Sequence, residues 1–304
     1  MAEQQDPARR CGFVALIGAP NVGKSTLINA LVGAKVSIVT PKVQTTRTLI
    51  RGIAIEGPAQ LIFVDTPGIF SPRRRLDRAM VGTAWGSTQD ADLVALLIDS
   101  HKGLMEDDEG ILRVLGDIRP QKVLVLNKVD LADKPKLLAL TQTLNERGSF
   151  AATFMISARS GSGVADLKSW FAAHLPLGPW LYPEDQISEA PMRQLAAEIT
   201  REKLYLRLHQ ELPYQSTVET EVWKELKNGA VRIEQTIYVA RESQRKIVLG
   251  KGGQAIKAIG SAARKEIAAA VEQPVHLFLH VKVREGWADD PERYREMGLE
   301  FPKD

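Results

Sequence analysis

Several things are scarce in this chain, and each scarcity removes a class of protein. One cysteine, Cys11, stands in 304 residues, so neither a disulfide framework nor a thiolate metal cluster can be assembled, and a reducing cytosol is the expected setting. No apolar run approaches the roughly 20 residues that a bilayer-spanning helix requires. The opening stretch, Met1 to Arg10, is polar and lacks the apolar core of a signal peptide. These features predict a soluble cytoplasmic protein, with at most peripheral attachment to an anionic membrane surface. Charge of one sign is scarce too. A net charge of +3 does not by itself argue for a polyanionic partner, so the distribution of charge has to be examined.

The rest is that of an ordinary globular protein, 44% apolar and 25% charged, long enough for about two domains. In the first half, apolar runs at 13–17, 50–55, 61–64, 93–98, 123–126 and 153–156 alternate with helical or loop segments. That pattern predicts an α/β domain with a mainly parallel sheet covered on both faces. Ligands of such sheets sit beyond the carboxyl ends of the strands.

The informative residues fall at those ends. Gly18-Ala19-Pro20-Asn21-Val22-Gly23-Lys24-Ser25 follows the first strand and precedes a helix beginning at Thr26, and it fits the phosphate-loop pattern. Successive backbone N–H groups must point at phosphate oxygens, which glycine permits. Lys24 would meet the β- and γ-phosphates and the Ser25 hydroxyl would ligate Mg²⁺. After the third strand comes Asp65-Thr66-Pro67-Gly68, where the carboxylate can hold Mg²⁺ and the Gly68 N–H can meet the γ-phosphate. After the fifth comes Asn127-Lys128-Val129-Asp130. Asp130 can accept two hydrogen bonds from guanine, which adenine cannot supply, while Asn127 and Lys128 brace the base and the phosphate loop. Ser157-Ala158 would offer a backbone N–H to the guanine oxygen. In Pro41–Arg47, Thr45 or Thr46, the latter preferred, would add a hydroxyl to Mg²⁺ and an N–H to the γ-phosphate, a contact that ends with hydrolysis.

Two charge runs read plainly. Glu106–Glu109 suits the exposed first turn of a helix, where the dipole favours negative charge. Arg73-Arg74-Arg75 reads as a solvated basic loop.

Proline and acid content mark 176–190 as a linker. Beyond it, an amphipathic helix over 191–209 leads to alternating residues around Val218, Thr220 and Val222, a turn at Asn228-Gly229 and a return strand. A further helix, the turn Gly250-Lys251-Gly252-Gly253, a helix and a last strand over 275–283 complete an α+β unit. Glycines there would let a sugar–phosphate backbone pass between two helices. Around that turn Arg241, Arg245, Lys246, Lys251 and Lys257 outnumber the acids, and these with Gly250, Gly252 and Gly253 are the expected RNA contacts. Aromatics are few here, so bases would be read by hydrogen bonds and apolar contacts. His276 and His280 read as surface residues, and Trp287 with the acidic stretch after it as a C-terminal cap.

The ordered motifs N-V-G-K-S, D-T-P-G, N-K-V-D and S-A resemble those of the GTPase-type P-loop domain, and the second half resembles a type II KH domain. Together, G domain (1–175), linker (176–190) and KH domain with tail (191–304) are similar to the Era family of bacterial GTPases. The resemblance implies Mg²⁺-dependent hydrolysis of GTP to GDP, binding of 16S rRNA near its 3′ end, assistance to 30S subunit assembly and peripheral inner-membrane association, in a protein expected to be monomeric. Many GTPases of this fold place a water-orienting glutamine just after the D-x-x-G motif, where this chain has Ile69, so intrinsic turnover is expected to be slow or dependent on a partner. Asn21 matches relatives in which K⁺ supplies the charge of an arginine finger. Two other readings stand beside this one. In the first, an RNA-binding scaffold or a GTPase of another RNA process, the nucleotide has a structural or different role. The second is a metabolic phosphotransferase, against which Asn127-Lys128-Val129-Asp130 speaks.

Overall fold

The computed structural model describes residues 9–42, 45–47, 49–72, 74–208, 216–286, 291, 294 and 299–301. Two compact units emerge. One comprises Met1–Ser37, Thr46–Glu189 and Met297–Asp304, and the other Ile38–Thr45 and Ala190–Glu296.

In the first unit the elements run β1 (Arg10–Ile17), α1 (Lys24–Val32), β2 (Ile50–Glu56), β3 (Ala59–Asp65), α2 (Arg75–Gln89) and β4 (Leu93–Asp99). They continue through α3 (Glu106–Leu115), β5 (Gln121–Asn127), α4 (Lys134–Arg147), β6 (Ala152–Met155) and α5 (Val164–His174). The six strands lie in the order β2-β3-β1-β4-β5-β6. All neighbours are parallel except β2 and β3, which form an antiparallel pair. Successive side chains on β1 feed opposite cores. Leu16 packs with Leu27, Phe63 and Phe171, while Ile17 packs with Leu96, Ile111 and Leu144. Helices therefore cover both faces, which is why β3 and β4 are buried along their whole length.

The strands are longer than their apolar runs by the residues that matter. Asp65, Asp99 and Asn127 are the last residues of β3, β4 and β5, so three polar side chains converge beyond one edge of the sheet.

Residues with the composition of a linker are laid along the first unit. The side-chain Oε1 of the buried Gln60 accepts from the backbone N–H groups of Leu181 (2.8 Å) and Tyr182 (3.0 Å). Further on, Ile53 N–H donates to Ile187 (2.9 Å), Glu189 N–H donates to Arg51 (3.2 Å), and the Arg51 guanidinium pairs with Glu189 at 2.7 Å. The open edge of β2 is satisfied in this way.

The acidic run departs from its sequence reading. Asp108 is buried at 2% exposure because its carboxylate turns back to accept the Met105 N–H at 3.0 Å. Burial pushes its pKa up to about 6, opposed by that hydrogen bond. Among the described residues no acidic, histidine or cysteine group is arranged to hold a metal by itself. The basic run departs as well, since Arg74 and Arg75 open α2 instead of lying in a loop; Arg73 falls outside the described residues.

The second unit runs α6 (Met192–Arg207), β7 (Ser216–Glu225), β8 (Val231–Val239), α7 (Glu242–Leu249), α8 (Gln254–Val271) and β9 (Val275–Val283). Strands β7 and β8 are antiparallel, and β9 joins β8 in parallel. Leu204 of α6, Ile237 of β8 and Ile259 of α8 meet in one core, and Ile199, Ile233 and Ile267 in a second. The expected alternation of Val218, Thr220 and Val222 is broken by a register shift between Thr220 and Val222. Such a bulge rotates the later residues of its strand, and Val222 is 37% exposed whereas Val218 is buried. His276 and His280 are exposed. His209 and Trp287, with Asp289 and Asp290, lie outside the described residues.

Candidate functional site

The loop between β1 and α1 is shaped by its contacts with the ends of β3 and β5. Gly23 adopts φ +103°, and a Cβ there would stand 2.3 Å from Asn127 Nδ2, so a side chain is excluded twice over. Lys24 begins α1 at 6% exposure and donates from Nζ to the carbonyls of Gly18 (2.9 Å) and Ala19 (3.1 Å). Burial lowers its pKa to about 8, and the charges of Asp65 and Asp108 oppose that shift. Thr26 is half-buried in the first turn of α1, whose unpaired N–H groups favour an anion.

Ser25, Thr46 and Asp65 are brought together. Ser25 Oγ lies 2.9 Å from Thr46 Oγ1, which reaches Asp65 Oδ2 at 3.4 Å. Ser37, which no sequence pattern singled out, donates to the same Oδ2 at 2.6 Å. Asp65 is fully buried, and burial raises its pKa against the opposing hydrogen bond of Ser37 and the charge of Lys24. Its second oxygen, Oδ1, is buried without a hydrogen-bond partner. A carboxylate oxygen orphaned beside two hydroxyls fits a hard dication with oxygen ligands. Thr45 is turned elsewhere, its hydroxyl 2.6 Å from Thr40 Oγ1 and donating to Lys42 at 2.7 Å.

The following loop is tied back to β1. Thr66 Oγ1 donates to Leu16 (2.7 Å) and Ile69 N–H donates to Gly18 (3.1 Å). A Cβ at Gly68 would meet Pro20 at 2.9 Å, so the two loops touch through their backbones. The Ile69 side chain is buried in the core, where it can neither donate to nor accept from a water.

At the end of β5, Asn127 donates to the Val22 carbonyl (2.8 Å) and accepts from the N–H groups of Lys128 (2.8 Å) and Ala158 (3.0 Å). Both N–H groups of Ser157-Ala158 are thereby engaged, because Ser157 donates to Ser162 at 3.0 Å. Lys128 donates to the Asn21 carbonyl (2.7 Å) and pairs with Asp99 at 2.6 Å. Sequence reading missed Asp99; its signal was a carboxylate closing an apolar strand, as in Asp65. Asp130 is exposed on the turn after β5, beyond this brace.

In the second unit the turn Gly250–Gly253 joins α7 to α8. Gly250, Gly252 and Gly253 have φ of 73°, 60° and 75°, and a Cβ on Gly250 would stand 2.6 Å from that of Ala255. Lys246, Lys251 and Lys257 are exposed around it, as is Arg241 at the start of α7. Arg245 is half-buried and pairs with Glu242 at 3.1 Å. Ile247, 56% exposed beside these cations, adds an apolar contact surface that its place in an apolar run concealed.

Comparison with known proteins finds a family match in each half of the chain. A family described as a 50S ribosome-binding GTPase matches residues 13–128, and the KH domain family matches residues 211–288. GTPase Era of Afipia carboxidovorans is 68% identical over 304 residues, covering 100% of this chain and 99% of that protein. GTPase Era of Brucella suis is 67% identical over 300 residues, covering 99% of this chain and 96% of that one. A crystal structure of a variant of Aquifex aeolicus Era bound to GDP and AlF4⁻ is 37% identical, with a TM-score of 0.89 over 95% of this chain and 99% of that chain. An Era structure in complex with MgGDPNP and nucleotides 1506–1542 of 16S ribosomal RNA gives 37% and 0.90 over the same shares. Identity of this order along the full length, with the GTPase and KH elements in the same order, shows that the chain belongs to the Era family of GTPases.

Proposed function

We propose that this GTPase is a GTP-switched RNA binder that binds 16S rRNA near its 3′ end and assists 30S subunit assembly. The observation that carries the reading is the exposed turn Gly250–Gly253, ringed by Lys246, Lys251 and Lys257, on a chain whose other unit carries a buried phosphate-loop lysine. An Era protein binding MgGDPNP and 16S nucleotides together supports it.

In this reading Gly18–Thr26 wrap the phosphates, and Lys24 brings its ammonium to the β- and γ-phosphates. Thr66, Pro67 and Gly68 line the γ-phosphate side, and Asp130 reads guanine while Asn127 and Lys128 hold the base loop against the phosphate loop. Ser25, Thr46 and Asp65 would hold Mg²⁺, which supplies charge neutralisation for the phosphates. Because Ile69 cannot orient water, intrinsic turnover is slow. The Asn21 loop is the place where K⁺ would act, and equal turnover in matched KCl and NaCl would remove that part of the reading. Any inner-membrane contact would be peripheral, since no described helix is long and apolar enough to cross a bilayer; flotation with anionic vesicles tests it.

Loss of the γ-phosphate frees Thr46 and Gly68, and that release lowers affinity for RNA. By linkage, RNA must tighten GTP binding by the factor through which GTP tightens RNA binding. The test is RNA affinity measured with a non-hydrolysable GTP analogue and with GDP. A higher affinity with the analogue is expected, and equal affinities would overturn the switch.

A further inference from the structure

The loop that delivers Thr46 to the phosphate site is held from an unexpected place. Ile38–Thr45 are assigned to the second unit, and Val39 and Thr45 each hydrogen-bond a side chain of α6. Two neighbouring residues of that helix, Arg201 at 2% and Glu202 at 3% exposure, aim charged heads at the loop's backbone. Glu202 Oε1 accepts the Val39 N–H at 2.9 Å, and Arg201 Nη2 donates to the Thr45 carbonyl at 2.5 Å.

Burying a guanidinium and a carboxylate costs several kcal/mol each unless both are paired and hydrogen-bonded. Here they are. Arg201 is bound by both oxygens of Glu198, at 2.8 and 2.5 Å, and Lys203 bridges Glu202 to Glu266 of α8. Burial alone would depress the Arg201 pKa, but the Glu198 charge and hydrogen bonds outweigh it and keep the guanidinium protonated. A surface ion pair would satisfy these groups without burial. What burial adds is a rigid pair of heads that grip the loop's main chain at two points.

The second point is the consequential one. The Thr45 carbonyl and the Thr46 N–H belong to a single planar trans peptide, so holding the oxygen directs the N–H the opposite way. A charge-assisted hydrogen bond on the oxygen also polarises that peptide and makes the N–H a stronger donor. Thr46 then begins the stretch whose hydroxyl lies 2.9 Å from Ser25 Oγ.

We infer that Arg201, seated by Glu198, and Glu202 are positioning residues for the GTP state, which orient the Thr45–Thr46 peptide so that its N–H faces the γ-phosphate. The inference rests on the reading of Thr46 given above and extends it to residues with no place in any nucleotide-binding motif. Neither residue touches nucleotide. Their effect is confined to the ligand that has a third phosphate.

The full-length protein with Arg201→Met, and with the pair Arg201→Met and Glu198→Met so that no lone charge is left buried, is titrated with GDP and with a GTP analogue in Mg²⁺. Affinity for the analogue is expected to fall about 10-fold or more, the usual loss for one charge-assisted hydrogen bond, with GDP affinity within about twofold of the original. Arg201→Lys, which keeps the charge without the fork, is expected to restore part of the loss. Thermal unfolding of each protein shows whether it is folded. Equal losses for GDP and analogue, or no loss in a folded variant, would overturn the inference. If the unaltered protein bound neither nucleotide, the functional reading itself would fall instead.

Discussion

Each unit has a glycine-bearing turn that leads into a helix and carries a lysine, but the two lysines live in opposite environments. Lys24 is buried, held by the Gly18 and Ala19 carbonyls, with its pKa lowered to about 8 by burial. Lys251 is exposed on the turn between α7 and α8. The first arrangement withdraws a cation from water before any ligand arrives and suits one small anion gripped from several sides. The second leaves cation and backbone open, which suits a polymer passing over the surface and exchanging counterions along its length. The same local chemistry suits two different tasks, and burial separates them.

The comparison can be broken by exchanging its consequences. Lys24→Ala removes the buried charge, and GTP affinity by calorimetry is expected to fall roughly 100-fold or more while RNA binding without nucleotide is retained. A parallel loss of RNA binding would mean that the two turns are not separate sites. Asp130→Asn is expected to lose a similar factor, about 100-fold, for guanine but not to gain adenine, as read in competition with ATP. Gain of adenine binding would take base reading away from Asp130. Replacing Lys251 and Lys257 with alanine is expected to weaken RNA binding about evenly across sequences and to flatten the slope of log affinity against log salt by about 1 per lysine. An unchanged slope would remove those lysines from the phosphate path.

The smallest effect is on pH. In the free protein Lys24 loses its proton as pH rises through about 8, whereas the triphosphate favours the charged form. GTP affinity should therefore be highest below pH 8 and decline above it, with proton uptake on binding between about pH 8 and the ordinary lysine range. A flat affinity from pH 7 to 9, with no such uptake in two buffers of different ionisation heat, would show that Lys24 is not set apart by its burial.

Much of this was readable before any coordinates. Runs such as 93–98 and 123–126 are apolar because both faces of a parallel strand are covered, and that constraint is written in consecutive residues. The phosphate loop, Asp65 and Asn127–Asp130 follow from strand ends, which the same runs locate. What escaped was mostly what rests on backbone partners far away in the chain. Residues 176–189 have a linker's composition, yet 176 and 178 bond the backbone at the start of β1 and 187 and 189 close the edge of β2, because such positions are satisfied by N–H and C=O groups that any residue carries. Asp108 sits in an acidic run like its neighbours, but only the local fold turned it inward.

The order and identity of the chemical groups were legible in sequence alone: a phosphate-loop pattern, a carboxylate closing β3, the Asn127–Asp130 stretch after β5 and a glycine turn between helices that carry exposed cations. Tertiary structure alone decided the pairings that tension them, Ser37 with Asp65, Asp99 with Lys128 and Arg201 with the Thr45 carbonyl. The physical reason is that such contacts join distant residues through single hydrogen bonds, often to main-chain atoms, and neither periodicity nor spacing records where a main-chain atom will lie.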